Sequence, residues 1–176
     1  MKVPDTMVAE IIDGELFTSP RPALPHALVT SRLIVDLGGP FDRPPGDPDG
    51  PGSWWLLVEP ELHFGDDVLV PDLAGWRRTR LPVLPNVAAL TLAPDWVCEV
   101  ISSSTGYIDR SRKMRVYARE QVGHLWIIDP ILRTLENYRL EAGRWFVAGS
   151  HAGDDAVQAE PFEAVELRLA RWWLES

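Results

Sequence analysis

Cysteine is almost absent: Cys98 stands alone in 176 residues, which excludes an intrachain disulfide and a cysteine-built zinc site. Lysine is nearly as scarce, for fifteen of the 17 cations are arginine and only Lys2 and Lys113 are lysine. Long apolar runs are missing too. The longest, Trp54 to Val58, falls far short of the roughly 20 residues that span a bilayer, and MKVPDTMVAE at the N-terminus has no apolar core of the signal-peptide kind. A cytoplasmic protein without a membrane partner is expected. A surplus of positive charge is lacking as well: 26 acids against 17 cations leave a net charge of -9. Such a chain does not coat nucleic acid by bulk attraction, so any contact with phosphate has to be local.

What is present is the composition of a globular domain, 45% hydrophobic and 24% charged, in a length that suits one core. A single domain over residues 1–176 is expected. The stretch 38–53, GGPFDRPPGDPDGPGS, reads as a flexible exposed loop, since its prolines and glycines oppose both helix and strand.

Hydrophobic periodicity supplies the elements. Val8 to Phe17 alternates around Asp13-Gly14, a hairpin turn dipeptide. Pro25 to Leu37 has helical spacing. WWLLVEPELHFG and Val68 to Trp76, joined by Gly65-Asp66-Asp67, read as a second hairpin with Asp72 inside its returning strand. In Asp95 to Ile101, Trp96, Cys98 and Val100 face one way and Val97, Glu99 and Ile101 the other, so this strand is apolar on both sides. A helix over Asp109 to Gln121 and a strand over Gly123 to Asp129 follow, and strand, helix, strand implies a parallel pair in a layered α/β domain. Leu132 to Leu140 and Arg144 to Val147 form a hairpin around Glu141-Ala142-Gly143, while Val165 to Trp173 fits either strand or helix.

A carboxylate in an apolar strand is costly unless it is paired, hydrogen-bonded or bound to metal. Glu99 and Asp72 are two such acids, and neighbouring strands would let them converge on one divalent cation. On the helix Asp109, Lys113, Val116, Tyr117 and Glu120 share a face, which turns Lys113 toward the sheet. Two acids and a lysine suit metal-dependent phosphodiester hydrolysis: the acids hold Mg²⁺ or Mn²⁺ and the lysine orients the nucleophile or stabilises developing charge. The same residues have plainer uses, Asp72 in a turn, Glu99 paired with arginine and Lys113 reaching back to solvent. Ser102 has no histidine and acid at triad spacing, and His63, His124 and His151 have no zinc-type spacing. Most of the eight tryptophans read as packing residues.

Taken in order, Ile11-Ile12-Asp13-Gly14-Glu15-Leu16, Pro20, His26, Pro71-Asp72-Leu73, Glu99-Val100-Ile101-Ser102, Asp109, Lys113, Tyr117 and Leu125-Trp126-Ile127-Ile128-Asp129-Pro130 resemble the Uma2 family, also called DUF820. That family is grouped with the PD-(D/E)XK nucleases as restriction endonucleases. The resemblance, over residues 8–148, implies a restriction-endonuclease-like three-layer core, a central mixed sheet flanked by helices, with hairpins toward each terminus. It implies Asp72 and Glu99 as metal-holding acids, the Val100 carbonyl as a further ligand, and DNA as substrate. Where the superfamily usually has lysine, two residues after the acid, this chain has Ile101, and Lys113 on the helix takes its place. Ser102-Ser103-Ser104-Thr105 departs from the Ser-Pro-Ser-Thr common in relatives. Supporting positions are Glu15, for a second metal or its water, His26, for phosphate or for opening its helix, and Ser102, Asp109 and Tyr117, which orient the site. A homodimer is consistent with nucleases that cut two strands. The competing expectation is a catalytically inactive module that keeps the fold for nucleic-acid or protein interaction.

Overall fold

The computed structural model describes residues 6–102 and 106–174. A six-stranded mixed sheet forms its centre, in the order β10 (Arg144–Ala152), β9 (Thr134–Glu141), β8 (His124–Asp129), β7 (Trp96–Val100), β6 (Leu73–Arg77) and β3 (Trp54–Val58). β7 and β8 are parallel and every other neighbouring pair is antiparallel. The parallel pair is joined by a helical run of three pieces: α2 (Gly106–Ile108), a π-helical turn (Asp109–Lys113) and α3 (Met114–Arg119). A smaller antiparallel sheet has the order β2 (Glu15–Pro20), β1 (Met7–Ile12), β5 (Asp67–Leu69) and β4 (Leu62–Phe64). Its β1–β2 hairpin turns at Asp13-Gly14, both with positive φ, as a two-residue hairpin loop of right-handed twist requires.

The second expected hairpin is present but broken. WWLLVEPELHFG is not one strand: β3 and β4 belong to different sheets, and so do β5 and β6 on the way back. The ribbon bends where Glu59 takes a left-handed φ of 47° before Pro60, and opposite it where Val70-Pro71-Asp72 leaves the ladder. The Glu59 amide donates to the Asp72 carbonyl at 3.0 Å across this bend. Asp72 therefore precedes β6 instead of lying within a strand, at the corner between the two sheets.

Two cores lie on the two faces of the central sheet. Trp96, Cys98 and Val100 of β7 pack with α1 (Leu24–Phe41) through Val29, Leu33, Leu37 and Phe41. Val97 and Ile101 pack with Val116 and Tyr117 of the other helical run and with Ile12, Leu62 and Leu69 of the small sheet. The expected alternation of this strand is thus observed. α1 runs through Gly38-Gly39-Pro40 to Phe41, so the loop begins later than expected. Burial of the Phe41 ring against Phe162, 4.7 Å between centroids, outweighs the helix-weakening glycines. The C-terminal region forms neither a long strand nor an α-helix. It makes a two-stranded ribbon, β11 (Ala156–Val157) with β12 (Leu167–Arg168), and a 3₁₀ turn over Leu169–Arg171, which set Phe162 and Trp172 into the first core. Among the described residues no helix is long and apolar enough to cross a membrane.

Candidate active site

The sheet corner brings Asp72 to the end of β7. Leu73 pairs with Cys98 in the β6–β7 register, which sets Asp72 beside Glu99 and Val100. One Asp72 oxygen, Oδ2, accepts from the Val100 amide at 2.7 Å. The other, Oδ1, accepts from the His26 ring nitrogen Nε2 at 2.6 Å. His26 stands in the first turn of α1, where Pro25 suits a position with no intrahelical N–H partner.

Glu99 lies on the opposite face of β7, 2% exposed. Its Oε1 lies 2.7 Å from Lys113 Nζ and accepts from the Tyr117 hydroxyl at 2.5 Å. Lys113 is equally buried and also lies 3.0 Å from Glu10 Oε1 and 3.5 Å from Asp109 Oδ1. The π-helical turn places Asp109 and Lys113 on its buried side, a local widening often found at functional sites. Asp72, Glu99, Val100, Lys113, His26, Ser102 and Asp109 all line one cavity of about 220 Å³.

Electrostatics follow from this crowding. Burial lifts the Glu99 carboxyl well above the usual range; Lys113 draws it back, while Asp109, Asp72 and Glu10 push it further up. For Lys113 burial acts downward, but Glu99, Tyr117, Glu10 and Asp109 outweigh it and hold the ammonium well above its usual pKa. Burial, then Glu99, raises the Tyr117 phenol, which stays a donor. Five carboxylates, Glu10, Glu59, Asp72, Glu99 and Asp109, thus share a cavity with Lys113, Arg21 and His26.

Other expectations fall elsewhere. Glu15 does not reach the cluster: it sits beside the β1–β2 turn and pairs with Arg112 at 2.7 Å on the surface. The hairpin acid that does reach it is Glu10, which the sequence reading passed over. Alternation puts Val8, Glu10 and Ile12 on one face, and the pairing of β1 with β5 is what turns that face inward. His26 contacts Asp72 in addition to standing in the first turn of its helix. Arg110, Arg112 and Arg119 are paired with Glu136, Glu15 and Asp67. In the departure at 102–105, Ser103, Ser104 and Thr105 lie outside the described residues.

The donors can be weighed against a divalent metal. Among the described residues no three His, Cys, Asp or Glu side chains group as a ready-made metal site. Mg²⁺ is commonly held by one or two protein carboxylates and keeps several waters. The excess of carboxylates over cations at the cavity is the chemistry of a hard cation site, and Asp72 and Glu99 fit as its protein donors.

The Uma2 family profile, described as "Putative restriction endonuclease", matches residues 3–170. The chain belongs to the Uma2 family. A crystal structure described as a putative nuclease belonging to DUF820, from Anabaena variabilis ATCC 29413, superposes with a TM-score of 0.77 at 21% identity, covering 98% of this chain and 94% of that one. The Uma2 chain therefore has the fold of that protein, the mixed α/β architecture expected from its sequence. No curated protein matches it at a significant level.

Proposed function

We propose that this Uma2 protein is a metal-dependent endonuclease that hydrolyses phosphodiester bonds of DNA. The observation that carries the reading is Asp72, just ahead of β6, and Glu99, on the adjacent β7, meeting one cavity with Lys113 2.7 Å from Glu99. Asp72, Glu99 and the Val100 carbonyl would hold Mg²⁺ or Mn²⁺, which when bound supplies Lewis-acid activation of water and shields phosphate charge. The chain's own residues do the rest. The Val100 amide and His26 fix the Asp72 carboxylate, and the Tyr117 hydroxyl fixes Glu99. Lys113, held charged by its acids, orients the attacking water and offsets negative charge that develops on the phosphate. A homodimer would present two such cavities to the two strands of a duplex.

Nuclease assays on supercoiled, linear and single-stranded DNA with Mg²⁺ and Mn²⁺ test this. Asp72→Ala and Lys113→Ala are each expected to lower turnover about 10²-fold or more. A wild type that cuts nothing, or variants that cut as well as it does, would end the assignment.

One observation favours a second reading, a non-catalytic interaction module: both Asp72 oxygens and the Lys113 ammonium already have protein partners. Calorimetric titration with Mn²⁺ separates the two. Binding that disappears in Glu99→Ala supports the enzyme, and no binding to wild type supports the module.

A further inference from the structure

Glu10 sits where two supports meet. Its Oε1 accepts from the Val70 amide at 2.8 Å and lies 3.0 Å from Lys113 Nζ. Val70 is two residues from Asp72, with Pro71 between them, so one carboxylate oxygen touches both the segment that carries Asp72 and the lysine that touches Glu99. The Glu10 and Lys113 side chains are 13% and 3% exposed, and a charge-assisted hydrogen bond is strong where water is excluded. Lysine is a point charge on a flexible four-carbon stem. Glu99 and Asp109 hold it from β7 and from its own helical run, whereas Glu10 reaches it from the small sheet and restricts the remaining direction.

We propose that Glu10 is a positioning residue of this site: it fixes the Lys113 ammonium against Glu99 and ties the Asp72 segment to the same point. The kinetic consequence rests on the hydrolytic reading above; the structural one does not.

The scarcity of lysine makes the structural arm direct. Glu10→Ala and Glu10→Gln are made in the full chain, and labelling by an amine-reactive ester at one fixed pH is followed by peptide mass spectrometry, with Lys2 as internal reference. Lys113 is expected to react slowly in wild type and about fivefold or more faster in Glu10→Ala, because one of its three anchors is gone. Glu10→Gln should fall between, since its amide oxygen still accepts from Val70 and Lys113. Should Glu10→Ala fail to fold by circular dichroism, Glu10→Gln against wild type decides the point. Equal labelling rates overturn the proposal whatever the nuclease assay gives. In the kinetic arm, Glu10→Ala is expected to lower kcat about tenfold or more with KM unchanged, and Glu10→Gln to recover part of the loss. Unchanged kcat with faster labelling overturns the positioning role in catalysis. An inactive wild type overturns the hydrolytic reading, and labelling then decides Glu10 alone.

Discussion

Lys113 stands 2.7, 3.0 and 3.5 Å from Glu99, Glu10 and Asp109, so replacing it leaves two buried acids and the partly buried Glu10 without their shared cation. Breaking a buried pair by removing one partner costs about 3–5 kcal/mol, and Lys113→Met is expected to lose about that much at neutral pH. Glu99→Gln removes negative charge from the same crowd and keeps an acceptor for Tyr117, so its expected cost is under about 1 kcal/mol. The pH dependence has a definite sign. Glu99 is already raised by burial and rises further without Lys113, so the folded variant binds more protons than the unfolded chain, whose glutamates titrate near pKa ~4.3. Stability then falls as pH rises through the elevated folded pKa. Urea melts should therefore bring Lys113→Met closest to wild type near the unfolded carboxylate pKa and drive them apart toward pH 8; a constant gap contradicts this. Glu99 and Lys113 could be singled out from the chain alone because each breaks a rule, an acid in an apolar strand and a lysine in an arginine-rich sequence. Glu10 looked like an ordinary hairpin acid, because its inward direction depends on β1 pairing with β5, a contact 57 residues apart between Ile11 and Val68.

The bent ribbon decides at the level of elements whether Asp72 meets Glu99 at all. Periodicity revealed both arms, but not the bend, because apolar residues on either side of Glu59-Pro60 alternate as in a single strand although they point into different sheets. The π-helical turn was equally invisible, since Asp109 and Lys113 have the same spacing in an ordinary helix. Within the part of the ribbon that stays in the central sheet, β6 presents Gly75 opposite Leu56 and Trp96. A Cβ there would lie 3.0 Å from Leu56 Cδ2 and 3.2 Å from ring carbons of both Trp54 and Trp96. Those rings are themselves wedged, each 4.9 Å from the Phe162 ring, and have little room to retreat. Gly75→Ala is expected to destabilise by about 1–3 kcal/mol, the usual range for overpacking, as read from the midpoint of chemical unfolding. A neutral or stabilising change would mean that the rings yield.

Across the whole molecule the central sheet separates two cores, and the site lies at one end of the sheet, between α1 with His26 and the helical run with Lys113. The chain's last segment holds one of those cores together. Phe162 is fully buried among Phe41, Trp54, Trp96 and Trp126, with ring centroids 4.7 to 5.7 Å away, so a single side chain joins α1 to three strands of the central sheet. Sequence patterning could not assign this role, because residues 158–166 belong to no regular element and an isolated phenylalanine has no period. Phe162→Ala removes a whole ring from a close-packed site, for which about 3–5 kcal/mol is typical. At about 2–4 °C per kcal/mol for a domain of this size, the melting temperature should fall by roughly 10 °C. Because α1 carries His26 and β7 carries Glu99, loosening this core also loosens the frame of the site. Hydrogen exchange should therefore report faster opening of α1 and β7 together, as one cooperative unit. Loss confined to residues 156–173, with α1 and β7 protected as in wild type, would show instead that the segment is an appendage to a core that stands without it.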